Sequence, residues 1–338
     1  MDELEVLEQH TKERLSSNKP LFIGPFLSAG ILDALFCGFL LMQAGKYVMS
    51  RRRDSLLLQL GAAYVILMNL AGSALTWVWV YDLFVCNFGT YYLFQSSKYI
   101  SWFFIFNSTT VVVVQVYFGW RAWMLTGKNT NVAVVIGALI VCALGGGIGM
   151  KVVCSQLGSV WDPKGIRIPT YICASCTVAA DSTITGIILY FLLSNRSGCT
   201  SRITRVIDRT IRITFESQLP PTISAITVSL VYLFNEDGFI YIPILVIKLK
   251  LYAISFLHTL NSRPQRSRST FEMTCPKRVQ DSHPTTWNTE PGMYTSPSTP
   301  FSSQQAEVCV SVVSFVTSEQ VISKAEAEVA HPTHPQRG

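Results

Sequence analysis

Seven apolar runs, most of them near the length a helix needs to cross a bilayer, constrain this chain more than any other feature. Hydrocarbon offers no partner for a backbone N–H or C=O, so an apolar run of about 20 residues is stable there only as a helix. The runs cover residues 22–47, 56–81, 97–120, 132–153, 170–193, 219–234 and 241–260. They predict an all-α membrane protein with seven transmembrane helices. The sixth run is the shortest and opens on Pro220-Pro221. Proline is tolerated in a first helical turn, whereas a helix that ran through the pair would kink.

Composition agrees. Of the 338 residues 49% are hydrophobic and only 14% charged, where soluble domains carry roughly 25% charged residues. The net charge of +6 comes from basic residues placed beside apolar runs. That pattern points to a membrane surface and away from nucleic acid. The opening stretch, MDELEVLEQHTKERLSSNK, lacks the basic and early apolar regions of a cleavable leader, so the first span is expected to be its own insertion signal.

Lys and Arg in the connectors predict orientation. Arg51, Arg52, Arg53, Arg121, Lys128, Arg196, Arg202, Arg205, Arg209, Arg212 and the basic residues from Arg263 onward fall on one side. Lys98, Lys151, Lys164 and Arg167 fall on the other. The richer side is expected to be cytoplasmic, with the N-terminus outside and the C-terminus inside. Three segments follow: an extracellular tail at 1–21, a seven-helix domain at 22–263, and a Ser/Thr/Pro-rich cytoplasmic tail at 264–338. The tail cannot bury enough apolar surface to offset its ordering entropy and is expected to be disordered. Within it, 308–316 (VCVSVVSFV) is a short apolar patch of no assigned role. Trp77, Trp79, Tyr81, Tyr91 and Tyr92 read as an outer aromatic belt, and Trp120 and Trp123 as an inner one.

The spacing of Arg202, Arg205, Arg209 and Arg212 places them in one helical arc, with Ile203, Ile207 and Ile211 to one side. This reads as the sixth helix extended into the cytoplasm as a basic face, set against anionic lipid headgroups. A protein partner for it is the sharper alternative, and the sequence names none. Cys86 and Cys154 both fall at the outer surface, where they could join as a disulfide or remain free. Cys173 and Cys176 have the CxxC spacing but no second ligand pair.

Charges inside a bilayer are costly and tend to mark function. Asp33, Asp181 and Lys250 fall near the middle of their spans, and Lys248 slightly further out. Residues 248 and 250 point about 200° apart on a helix, so both cannot face one narrow pocket. Lys250 with Asp33 or Asp181 is a natural ion pair, either a packing device or a ligand or ion site. Asn69, Asn107, Thr109, Thr110, Gln115, Thr183 and Thr185 could line the same interior or bond between helices. The glycines of span four, Gly137, Gly145, Gly146, Gly147 and Gly149, suggest a close-packing face. HExxH, GxSxG and P-loop motifs are absent, so neither a catalytic role nor a metal or other cofactor is expected.

Several strings carry a resemblance over about residues 22–263. They are Gly24-Pro25, Gln43 and Tyr47, Phe88-Gly89, Val114-Gln115, Phe118, Trp120-Arg121, Leu125, Ala180-Asp181 and residues 209–216 (RTIRITFE). The strongest are Lys250-Leu251-Tyr252 and Leu260-Asn261-Ser262-Arg263. In order and spacing the chain resembles a large family of seven-helix membrane proteins from mushroom-forming fungi, a family without an established activity. Ala253-Ile254, Ser217-Gln218 and Pro220-Pro221 depart from its usual pattern. The resemblance implies the architecture and a fungal source, and supplies no chemistry.

The expected function is therefore that of a multi-pass membrane protein, receptor-like or sensory, in the plasma membrane. A small-solute transporter and a structural membrane component without a ligand are the alternatives. A retinal protein is disfavoured because Val246 stands where microbial rhodopsins place Asp four residues before the lysine.

Overall fold

The structure is a computed structural model that describes residues 8–9, 11–13, 19–49, 55–157, 163–194, 201–234 and 239–262. Among them are seven long helices: α1 (Lys19–Met49), α2 (Leu56–Tyr81), α3 (Lys98–Leu125), α4 (Thr130–Leu157), α5 (Pro163–Ser194), α6 (Ser201–Phe234) and α7 (Tyr241–Asn261). The C-terminal tail, including 308–316, lies outside the described residues.

Each helix packs against its neighbours in sequence, and α7 returns to α1. Short connectors make successive helices antiparallel. Inside this ring α3 also meets α5 and α7, and α7 also meets α2. These two are the central helices. Half of the apolar window of α3 and 67% of that of α7 is buried, against 28–33% for the other four apolar helices.

The outer surface of the bundle is apolar. On α1, Leu27, Ile31, Leu35 and Phe39 are each at least half exposed and recur every fourth residue. Val134, Val141 and Ile148, seven residues apart, are exposed along α4, and Ile168, Ile172, Tyr190 and Leu193 line α5. Soluble monomers rarely show contiguous apolar surface on this scale. Six helices, all but α6, are long and apolar enough to cross a membrane. The chain is thus built as a multi-pass membrane protein. The sixth predicted span, 219–234, falls in α6, which is not among these six.

Helix α6 runs unbroken from Ser201 to Phe234 and takes Pro220 and Pro221 inside it. The expected N-terminal extension of the sixth span is therefore present, and the prolines sit in mid-helix instead of opening it. Helix α3 is longer than its predicted span. It stops where Gly127 and Lys128 turn left-handed and Lys128 N donates back to Trp123 O at 3.0 Å, a Schellman-type closure in which glycine avoids the Cβ clash of that region. The α4 glycines split in two groups. A Cβ on Gly146 would meet the Cys173 backbone nitrogen of α5 at 2.7 Å, and one on Gly147 would collide with Ser108 of α3. Gly137 and Gly145 face open space.

At the end of the bundle where α7 begins, Phe26 lies edge-on to Trp79, Phe94 and Phe239 at 5.1–5.3 Å. Trp79 is buried in this cluster and so does not belong to the aromatic belt assigned to it, whereas Trp77 and Tyr81 are exposed. The Glu8 carboxylate accepts the backbone N–H groups of Tyr91 and Tyr92 at 2.6 and 2.8 Å, which ties the N-terminal segment to the 3₁₀ turn Tyr92–Gln95. Cys86, exposed, and Cys154, buried, are at this end as free thiols and are not joined.

Candidate functional site

The chemistry-bearing side chains of the interior converge on α7. Its 3.6-residue period puts Lys248 and Tyr252 on one face and Lys250 on the other. Both faces are covered, because α7 packs against α1 and α2 as well as α3 and α6. Lys248 and Lys250 are accordingly both buried.

Lys250 sits midway along α7 and is fully buried. Its ammonium donates to Asn69 O at 2.8 Å and to Ser73 Oγ at 2.7 Å, both on α2. It lies 3.2 Å from Asp33 Oδ1 on α1. Of the two carboxylates considered for Lys250, the structure selects Asp33. The pair is held by charge more than by alignment, since neither Asp33 oxygen has a well-directed hydrogen bond among the described residues. Asn69 spends its own amide on Val65 O at 2.9 Å. One lysine thus ties α7 to both α1 and α2.

Asp181 lies on the other side. The Tyr252 hydroxyl donates to its Oδ2, and Gln115 Nε2 donates to its Oδ1 at 2.8 Å. Gln115 also approaches Thr177 O at 3.4 Å. Lys248 is within electrostatic reach of Asp181 and lies 5.9 Å from the centre of the Tyr252 ring. This cluster joins α3, α5 and α7. Among the described residues each of these two clusters holds one buried carboxylate and one buried ammonium, so each is neutral if both of its groups are charged. That arrangement limits the cost of placing charge in a medium that solvates it poorly.

Of the residues singled out in the interior, the structure brings Asp33 to Lys250 and Gln115 to Asp181, and keeps the two pairs apart. Tyr252 and Ser73 were not foreseen as partners. Tyr252 was legible in principle, because a tyrosine four residues after a buried lysine shares its face; nothing about Ser73 marked it in the sequence. The arginine face of α6 is described in part. Arg209 Nη2 donates to Ser262 O at 3.2 Å, and Arg212 pairs with Glu216 at 2.8 Å on the exposed side of α6. The side chains of Arg202 and Arg205 lie outside the described residues. Cys173 and Cys176 are free thiols on α5.

Residues 177–265 match a family of unknown function, DUF6534. The matched stretch holds Asp181, Lys248, Lys250 and Tyr252 together with the Arg209–Ser262 contact, whereas Asp33 and Gln115 precede it. No curated protein and no solved structure matches the chain.

Proposed function

We propose that this chain is a receptor-like, non-enzymatic membrane protein whose seven helices all cross the bilayer, with the N-terminus outside and the C-terminus in the cytoplasm. The exposure pattern of α6 supports the seventh crossing. From Leu219 onward its described exposed residues are apolar: Ile223, Ile226, Leu230 and Phe234. Beside Pro221 and Ala225, its described buried residues are polar: Thr214, Ser217, Gln218 and Ser224. A helix at a protein–water boundary has the reverse arrangement. The mean hydropathy of α6 is low because its first half carries Arg202, Arg205, Asp208, Arg209, Arg212 and Glu216, while Ser217, Gln218 and Ser224 further along are turned inward, where hydrocarbon does not meet them.

The observation that carries the receptor-like reading is the bond from Arg209 to Ser262 O. It couples the end of α7, the helix that holds the interior charges, to the base of the basic part of α6. A stimulus that shifts α7 between its two polar clusters would therefore move the segment that faces lipid headgroups or a cytoplasmic partner. Spin labels at Asp208→Cys and Asn131→Cys on α4 read that motion. The Lys250→Met variant is expected to change the distance distribution, and identical distributions in the two proteins would refute the coupling. Epitope tags at the two termini test the crossing number: labelling on opposite sides of intact cells is expected, and same-side labelling would mean an even count. A carrier of small solutes is the second reading, favoured by the Asp33 oxygens that no described group bonds directionally.

A further inference from the structure

We infer that a hydrated polar seam between α5, α6 and α7 leads from the cytoplasmic end of the bundle to Asp181. The inference goes beyond the receptor-like and carrier readings and rests on only one part of them, the crossing of the membrane by α6.

On α7, Lys248, Tyr252, Ser255 and Thr259 are buried and follow one another at spacings of four, three and four, so they form one stripe. On α5, Thr177, Asp181 and Thr185 are four apart and form another. The buried polar residues of α6 make the third. The Arg209–Ser262 contact sets the register of α6 against the antiparallel α7. Equal rise along both helices then places Gln218 at about the height of Ala253 and Thr214 at about that of Leu257. Gln218 is thus level with the Asp181–Tyr252 contact, and Thr214 is one turn nearer the cytoplasm.

A polar stripe alone is often only interhelical bonding. Here the bonding is incomplete. Gln218 Nε2, Thr214 Oγ1, Thr185 Oγ1 and Gln115 Oε1 are all buried, and no described protein group hydrogen-bonds to them. Gln218, Thr214 and Gln115 are themselves each at least 95% buried. Four such atoms, two on α6 and one each on α3 and α5, are too costly to leave dry. Water satisfies sites of this kind where several polar groups converge. The seam takes water and, along it, protons or small cations attracted to the carboxylate.

The test is thiol accessibility in inside-out vesicles, which expose the cytoplasmic face. Single variants Thr214→Cys, Gln218→Cys and Ser255→Cys sample the seam. Phe215→Cys and Ile223→Cys sample the lipid-facing side of α6. A charged, membrane-impermeant methanethiosulfonate is added, and mass spectrometry of the modified peptides separates the new thiol from native cysteines. Thiolate is the reacting species and forms only where water reaches. Seam positions are expected to react at least tenfold faster than the lipid-facing pair. Equal and slow labelling everywhere would overturn the seam while leaving the crossing intact. Equal and fast labelling would overturn both, because α6 would then lie outside lipid. Unchanged thermal stability and gel-filtration profile of each variant show that the fold is retained.

Discussion

Removing Lys250 should be among the most damaging single substitutions in the bundle, and its cost should vanish when Asp33 is removed with it. At 3.2 Å and an effective dielectric of about 20, the attraction between the two charges is about 5 kcal/mol. Most of that gross attraction offsets the desolvation of both groups, so the pair is worth little net in comparison with two apolar side chains. Lys250→Met breaks this balance. It leaves Asp33, fully buried, with no countercharge, and it strips Asn69 O and Ser73 Oγ of their donor. Breaking a buried pair from one side costs about 3–5 kcal/mol, or roughly 10²- to 10⁴-fold in the unfolding equilibrium. Asp33→Leu should cost a similar amount by stranding the ammonium. The double variant should fall within about 1 kcal/mol of the parent chain, since apolar replacement of a whole buried pair is often neutral or better. Denaturant titration of the purified protein in detergent, followed by tryptophan fluorescence, measures all four corners of the cycle. A double variant as unstable as the sum of the singles would refute the reasoning, because the two residues would then act separately. Single variants within about 0.5 kcal/mol of the parent would refute it equally, since that is the scale of unremarkable surface changes.

Other substitutions separate the two polar clusters and test the packing. Tyr252→Phe removes the donor to Asp181 while leaving the ring in place, and should cost about 1.5–3 kcal/mol, the value of a hydrogen bond to a charged group, in the same titration. Lys248→Met should cost less than Lys250→Met, because Lys248 makes no ion pair within 4.0 Å among the described residues and its ring contact is worth about 0.5–2 kcal/mol; equal costs would contradict the assignment. Gly147→Ala drives a Cβ into Ser108 and should destabilise by about 1–3 kcal/mol. Gly145→Ala meets open space and should be neutral or gain up to about 1 kcal/mol from helix propensity, so a reversed order would mean the α3–α4–α5 packing is wrong. Arg209→Ala should loosen α6 from the end of α7, read as faster amide exchange at Asn261 and Ser262.

Hydropathy and length are properties of one helix at a time, and those were legible in the residues. Six apolar helices appear where apolar runs predict them, and α6 extends through the arginine-bearing connector as the spacing of Arg202 to Arg212 implies. The expectation that 248 and 250 face different ways also follows from helical period alone. What each lysine meets does not. The choice of Asp33 over Asp181 for Lys250 depends on which helix stands on which side of α7, and no local pattern encodes that. The placement of Trp79 in the core, of Gly146 and Gly147 at the crossings, and of the polar face of α6 toward the interior has the same origin. Each is settled only when helices distant in sequence are packed together, because burial, charge neutrality and close approach are relations between surfaces and not attributes of a single stretch of chain.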